Sequence, residues 1–124
     1  LQFAIHEREK MVPEHIEKHQ YIEDACEYIR HHLDNEGLSI AEVAEHVFLN
    51  QVYFGRLFKQ TMNMSFKKYV LRTRLEYAKQ LLEESEDSIN DICTKVGIIN
   101  PSYFSKLFKQ EMGMLPSEYK KILQ

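Results

Sequence analysis

The sequence has few of the residues that mark several large classes of protein. It contains no tryptophan, 2 cysteines, 4 glycines and 3 prolines in 124 residues. Two cysteines exclude a disulfide framework and a four-ligand zinc site. The few glycines and prolines argue against an all-β chain, which needs many turns. No apolar run approaches the roughly 20 residues of a membrane span, and no secretion signal is visible. A globular helical chain in the cytoplasm is expected.

Charge is unevenly distributed along the chain. The net charge of −3, from 16 basic and 19 acidic residues, is unfavourable for binding a polyanion. Residues 1–37, however, carry four bases and nine acids, a net charge of −5, whereas residues 38–124 carry +2. Residues 56–79 contain seven bases and one acid. This asymmetry favours a polyanionic partner for one part of the surface, although a solvated helix face would show the same composition.

An internal repeat is the strongest feature of the sequence. Residues 53–64 (YFGRLFKQTMNM) align with residues 103–114 (YFSKLFKQEMGM) at an offset of 50, with eight of twelve positions identical. Upstream, residues 40–44 align with residues 89–93 at an offset of 49, so the second copy has one additional residue before Asn100. Two copies are too few for a solenoid, and they indicate two copies of one small binding unit.

Each copy is predicted to contain a short helix, a turn and a second helix. Asn63 and Gly113 follow the second helices and suit a left-handed helix end. Four polar residues are positioned as N-caps, namely Ser39 and Ser88 for the short helices and Asn50 and Asn100 for the second helices. The spacing i, i+1, i+4, i+5 predicts one buried face on each second helix, formed by Tyr53, Phe54, Leu57 and Phe58 and by Tyr103, Phe104, Leu107 and Phe108.

The opposite face of each second helix is polar and basic. Short polar side chains with one or two bases suit contacts with base edges and phosphates. A solvent-facing helix would be equally polar, but the same arrangement in both copies favours DNA. Between the copies, residues 65–85 contain no glycine or proline and predict a helix roughly 31 Å long. Such a helix would place two recognition helices about one turn of DNA apart, since adjacent major-groove faces lie roughly 34–36 Å apart.

Residues 21–123 resemble the C-terminal DNA-binding domain of the AraC/XylS family of bacterial transcription regulators. The resemblance rests on three blocks: residues 65–70 with Arg74, Leu75, Ala78, Leu81 and Leu82; residues 89–99; and residues 102–109 with Gly113, Pro116 and Tyr119. It implies an all-α fold of seven helices, in which a linker helix joins two helix-turn-helix subdomains.

The same resemblance implies a domain organisation. Residues 1–20 are expected to be a connector from an upstream domain, followed by a first helix-turn-helix subdomain (21–64), a linker helix (65–85) and a second subdomain (86–124). Family members often carry a ligand-binding domain upstream, and one subgroup carries a phosphoacceptor receiver domain. The acidic composition of the connector favours the receiver-linked subgroup, the response regulators.

Candidate DNA contacts follow by position from the family. Lys59 and Lys109 match phosphate-facing positions, and Val52 is suited to a thymine methyl group. Gly55 has no side chain with which to read a base, so we expect Arg56 to be the main specific reader and the second helix to read less. The predicted contacts are Asn50, Gln51, Val52, Gly55, Arg56 and Lys59 in the first helix, and Pro101, Ser102, Ser105, Lys106 and Lys109 in the second.

These observations predict a sequence-specific regulator of transcription, most often an activator in this family. Double-stranded DNA and RNA polymerase are the expected partners, with a homodimer formed through the upstream domain and no membrane contact. The alternative is a helical protein-interaction module that docks RNA polymerase or an upstream domain without strong DNA reading, which Gly55, Pro101 and the net negative charge would favour. No nucleophile–base pair, phosphate-cradling loop or metal-ligand cluster is visible, so neither an enzyme, a cofactor nor a metal site is predicted.

Several reactive or charged residues have a structural interpretation. Cys26 and Cys93 lie on apolar helix stripes and are predicted to be buried thiols. His31 and His32 are adjacent, so they leave a helix in different directions and do not share a metal site. Arg74 is predicted to form a structural ion pair, with a DNA contact as the alternative.

Overall fold

The computed structural model describes residues 14–124, with side chains from residue 17 onward. This part of the chain contains α-helices and no strands, as expected from the sequence, and none of its helices is long and apolar enough to cross a membrane. The helices are α1 (Glu14–His31), α2 (Ile40–His46), α3 (Gln51–Met62), α4 (Phe66–Glu84), α5 (Ile89–Val96), α6 (Pro101–Met112) and α7 (Pro116–Leu123). Helix α1 begins within the segment assigned to the connector, and residues 1–13 of that segment lie outside the described residues.

The described chain forms two compact units. The first combines the helix up to Ile29 with Ser39–Phe66, and the second combines Arg30–Leu38 with Lys67–Gln124. From Lys67 onward, α4 therefore packs as part of the second unit. No sequence pattern indicates that Arg30–Leu38, which precede the first helix-turn-helix, also pack in the second unit.

The core of the first unit is built from α1, α2 and α3. Phe54 and Phe58 of α3 are fully buried, and their rings lie 6.2 and 5.8 Å from the ring of Phe66. On the side of α1, the Tyr28 hydroxyl donates a hydrogen bond of 2.5 Å to Glu42 of α2. This hydrogen bond raises the pKa of Tyr28, since it favours the protonated phenol. The remaining buried apolar residues are Ile22, Ala25, Cys26, Ile29, Val43, Ala44, Val47 and Leu57.

The core of the second unit repeats this arrangement around α4, α5 and α6. Phe104 and Phe108 of α6 are fully buried, and the Phe108 ring lies 6.1 Å from that of Tyr119 in α7. Tyr119 also donates a hydrogen bond to Glu83 of α4. The buried residues that surround these rings are Leu75, Ala78, Leu82, Ile92, Cys93, Val96 and Ile98.

Arg74 of α4 holds the segment that follows α1 in the second unit. Its Nη2 donates to the carbonyl of Asn35 at 2.7 Å, and its buried Nε has no hydrogen-bond partner among the described residues. Burial lowers the pKa of Arg74, while the charge of Glu36 acts in the opposite direction. The expected structural role is therefore present, but its hydrogen-bond partner is a backbone carbonyl rather than the carboxylate of an ion pair.

Gly97 lies between this segment and Arg74. Its φ is +81°, a conformation that side-chain-bearing residues rarely adopt. A β-carbon at this position would lie 2.0 Å from the carbonyl oxygen of Leu33 and 3.1 Å from the Arg74 guanidinium. The close approach of the three residues thus requires glycine at position 97.

Replacing Gly97 by alanine should destabilise the fold strongly. Gly113→Ala is the matched control, because Gly113 has a φ of +86° but no atom within 4 Å of the place that a β-carbon would take. We expect a loss of about 1–2 kcal/mol for Gly113→Ala from the left-handed backbone alone. Gly97→Ala should lose about 1–3 kcal/mol more from the clash with the Leu33 carbonyl. Urea unfolding of both variants measures the difference, and equal losses would show that the contact with Leu33 does not require glycine.

Candidate nucleic-acid interface

The two helix-turn-helix units, formed by α2 with α3 and by α5 with α6, begin their second helices in the same way. The Asn50 side chain accepts hydrogen bonds from the backbone N–H of Val52 (2.9 Å) and Tyr53 (3.2 Å). Asn100 accepts one from Tyr103 (3.0 Å), and Pro101 occupies the first helical position. These contacts satisfy N–H groups that have no partner within the helix. The predicted N-caps of α3 and α6 are therefore confirmed.

The other predicted helix ends are also confirmed. Ser39 and Ser88 accept hydrogen bonds from the backbone N–H groups of Glu42 (3.2 Å) and Asp91 (3.1 Å). Helices α3 and α6 end at Asn63 and Gly113, whose φ angles of 59° and 86° are left-handed. Both units thus fix the start, length and end of the second helix by local hydrogen bonds and backbone conformation.

Buried phenylalanines determine which side of α3 and α6 faces outward. Phe54 and Phe58 are buried on α3, as are Phe104 and Phe108 on α6, with 5.8 Å between the ring centroids of each pair. The opposite side of each helix is left exposed. Leu57 is buried as predicted, whereas its counterpart Leu107 is half-buried.

The prediction that Tyr53 and Tyr103 are buried is wrong. Tyr53 is 38% exposed and Tyr103 is 56% exposed. Each tyrosine precedes the first buried phenylalanine by one residue, which rotates it about 100° around the helix, away from the core. In each unit, the phenylalanines of the repeat therefore lie on the buried face of the helix, and the tyrosine lies on its outer surface.

The outer face of α3 exposes most of the predicted contacts. Gln51, Val52, Arg56 and Lys59 are exposed. Gly55 is half-buried, and a β-carbon on it would lie 3.3 Å from Cδ1 of Ile40 in α2. The missing side chain at position 55 thus accommodates the approach of α2. The N-cap Asn50, which the sequence also assigned to DNA, is exposed, and its side-chain oxygen is engaged by the helix.

The outer face of α6 has the same character. Pro101, Ser102, Lys106 and Lys109 are exposed, and Ser105 is half-buried. Among residues 17–124, no carboxylate pairs with any of the four basic side chains on the two outer faces, which are Arg56, Lys59, Lys106 and Lys109. These cations are available to an anionic ligand.

Sequence reasoning missed two exposed apolar residues beside these faces. Phe48, in the turn before α3, is exposed and has a left-handed φ of 63°. Ile99, in the turn before α6, is also exposed. The repeat contained a signal for the backbone conformation of Phe48, because the offset of 49 aligns Phe48 with a glycine, Gly97. Gly97 is also left-handed, with a φ of 81°.

The two cysteines have the structural environment that was predicted. Cys26 and Cys93 are both buried among apolar residues and unpaired with each other. Burial raises the pKa of Cys93, because a thiolate is poorly solvated there. A buried, protonated thiol is a weak nucleophile, so Cys93 belongs to the core.

Comparison with known proteins gives the same architecture. Residues 43–122 match the family described as "Helix-turn-helix domain". The chain is 33% identical over 104 residues to the melibiose operon regulatory protein of Escherichia coli strain K12, which covers 84% of this chain and 34% of that protein. This chain thus spans about a third of the length of that relative.

Two solved structures have the same fold. One is the C-terminal domain of AraT, a response regulator from Geobacillus stearothermophilus, with 33% identity and a TM-score of 0.78 over 82% of this chain and 84% of that domain. The other is a transcriptional regulator with an AraC-type DNA-binding domain from Chromobacterium violaceum, with 27% identity and a TM-score of 0.77 over 83% of this chain and 91% of that one. The chain belongs to the AraC/XylS family of helix-turn-helix transcription regulators.

Proposed function

We propose that this chain binds duplex DNA by placing α3 and α6 in adjacent segments of the major groove, and that the complete protein regulates transcription from such sites. One observation carries the proposal: a capped helix with a buried phenylalanine pair on one side and exposed basic side chains on the other occurs twice. The relatives named as an operon regulatory protein and a response regulator support a role in regulation.

The side chains on α3 have distinct roles in this proposal. Arg56 reads a base edge, because its planar guanidinium forms paired hydrogen bonds with guanine. Lys59, one turn further along, contacts a phosphate and adds affinity without sequence preference. Asn50 and Gln51 contact DNA at the start of the helix, and Gly55, whose missing side chain accommodates α2, contributes no side-chain contact of its own.

The second recognition helix reads fewer bases. Lys106 is a point charge that does not offer the paired hydrogen bonds of arginine, and Pro101 has no polar group on its side chain. Ser102 and Ser105 each offer one hydroxyl to a base edge or a phosphate, and Lys109 contacts a phosphate. We infer that α6 contributes more to affinity than to discrimination between sequences.

Helix α4 supplies the length that two adjacent groove segments require. Its 19 residues span about 28 Å. This length approaches the roughly 34 Å of one DNA turn. The linker role of α4, with subdomain boundaries near residues 64 and 85, is therefore part of the proposal.

The partners of the complete protein follow from charge and from its relatives. A net charge of only +2 over residues 38–124 gives weak sequence-independent attraction to DNA. We therefore propose that an upstream domain, a receiver domain by analogy with the response regulator AraT, strengthens binding by forming a homodimer. Action in the bacterial cytoplasm as an activator that contacts RNA polymerase completes the proposal.

Replacing Arg56 and Lys59 separately should give two different defects. Arg56→Ala should lose about 1–3 kcal/mol for a selected site and relax its sequence preference, whereas Lys59→Ala should weaken all duplexes similarly and reduce the salt dependence. Fluorescence anisotropy with a selected duplex and a scrambled duplex, at several salt concentrations, measures both effects. Lys121→Ala, which removes an exposed base from α7, is the control and should change neither.

The outcome with Arg56→Ala decides the assignment of the reader. An unchanged preference for the selected duplex over the scrambled one would show that Arg56 does not read a base. Failure of the unmodified chain to bind heparin or bulk DNA at low salt would instead favour the alternative, a helical module that docks another protein.

Substitutions at Asn50 should separate its capping role from its DNA role. Asn50→Ala should lower the free energy of unfolding by about 1 kcal/mol, because two backbone N–H groups lose their acceptor. Asn50→Asp should retain stability, since aspartate is an equally good N-cap, but should weaken DNA binding by placing a negative charge at the groove. Urea unfolding and anisotropy measure the two effects. Retained DNA affinity in Asn50→Asp would exclude Asn50 from the interface.

A further inference from the structure

The exposed apolar side chains of this chain are concentrated at the starts of the two recognition helices. Among the described residues, seven large hydrophobic side chains are exposed, and five of them lie in the turn before α3 or α6 or in the first turn of those helices. The five are Phe48, Val52, Tyr53, Ile99 and Tyr103, and the other two, Ile122 and Leu123, lie in α7. Scattered apolar residues on a surface are ordinary, but their concentration at two equivalent places indicates an interface.

The backbone conformation of Phe48 costs the fold free energy, and more than half of the residue's surface remains exposed. It is 59% exposed, and its left-handed φ of 63° is unfavourable for a bulky side chain. The equivalent position in the second unit is Gly97, and glycine adopts this conformation without steric cost. The Phe48 N–H donates to the Glu45 carbonyl at 3.1 Å, a bond that glycine would keep. An unfavourable backbone conformation at a mostly exposed residue is typical of a residue retained for contact with a ligand.

Val52 provides a second apolar side chain at the same end of α3. It is 68% exposed and occupies the second position of the helix, four residues after Phe48. Arg56 lies one turn further along α3 and Lys59 nearly two, both exposed. An apolar group that is followed along the helix by exposed cations fits a polyanion that presents apolar groups at the floor of a groove.

The major groove of DNA displays one apolar group, the 5-methyl of thymine. We propose that Phe48 joins Val52, the side chain already suited to a thymine methyl group, in recognising that group, so that the DNA element read by the first unit is defined partly by apolar contact as well as by the hydrogen bonds of Arg56. This inference rests on the proposed function, because it presumes that α3 enters the major groove. It assigns Phe48, in the turn, a role in sequence discrimination.

Deoxyuridine tests the inference directly, because it differs from thymidine only by the missing methyl group. The probe is a duplex selected from random-sequence DNA by the unmodified chain, resynthesised with deoxyuridine at one thymine at a time. At one or more positions, the unmodified chain should lose about fourfold in affinity, the equivalent of one buried methyl group. Val52→Ala and Phe48→Gly should bind the thymine duplex more weakly and should no longer distinguish it from the deoxyuridine duplex at that position.

Two controls keep the test independent of folding. Phe48→Gly should unfold at a urea concentration no lower than the unmodified chain, because glycine relieves the left-handed conformation. Ile122→Ala removes a side chain that is 67% exposed on α7, and should retain the fourfold discrimination.

The outcomes separate this inference from the proposed function. Tight binding by the unmodified chain with no loss at any deoxyuridine position would overturn methyl recognition and leave DNA binding intact. Discrimination that persists in Phe48→Gly would overturn the role assigned to the turn, and discrimination that persists in both Phe48→Gly and Val52→Ala would assign the methyl contact to other residues. If the unmodified chain selects no duplex, the proposed function itself fails, and this inference fails with it.

Discussion

Burial of one phenylalanine pair in each helix-turn-helix unit determines which side of the second helix faces outward. Phe54 and Phe58 in α3, and Phe104 and Phe108 in α6, are removed completely from solvent. Burial of each ring contributes roughly 1.5–3 kcal/mol, so rotating either helix about its axis would cost several kcal/mol. The helices are therefore held with one side facing the core, so that the opposite side faces outward. The local caps at Asn50 and Asn100 then fix where each helix begins.

The two units reach the same arrangement by different turns. In the second unit, Gly97 makes the left-handed turn and also allows the backbone near Leu33 and the Arg74 guanidinium to approach. In the first unit, Phe48 makes the equivalent turn with an unfavourable backbone conformation and an exposed ring. The glycine thus serves the packing of its unit, whereas the phenylalanine presents an apolar group beside the recognition helix. This difference is consistent with two units that read DNA unequally.

Most of the fold could be predicted from the sequence because local signals repeat. The caps Ser39, Ser88, Asn50 and Asn100 and the helix ends at Asn63 and Gly113 depend on neighbouring residues only, and all were correctly predicted. Exposure of Tyr53 and Tyr103 was not predicted, because a run of two aromatic residues spans the edge of a helix face, and the sequence alone does not show which of the two points inward.

Features that depend on packing between distant segments were harder to predict. The hydrogen bond from Arg74 to the Asn35 carbonyl joins residues 39 positions apart, and no local pattern marks it. The small space that Gly55 leaves beside Ile40 likewise depends on how α2 packs against α3. In the candidate interface, exposure of Arg56, Lys59, Lys106 and Lys109 follows from helix periodicity, whereas the exposed Phe48 required the backbone angle. The individual DNA contacts are predictions.

Simultaneous binding of both recognition helices to one duplex would leave a signature in the preferred DNA sequence. Selection of binding sites from random-sequence duplex DNA by this chain, followed by sequencing, reveals that signature. We expect a selected motif with two elements whose centres lie about one helical turn apart, the element assigned to α3 being the better defined. A motif with one short element, or no enrichment of any sequence, would show that the two helices do not read one duplex together.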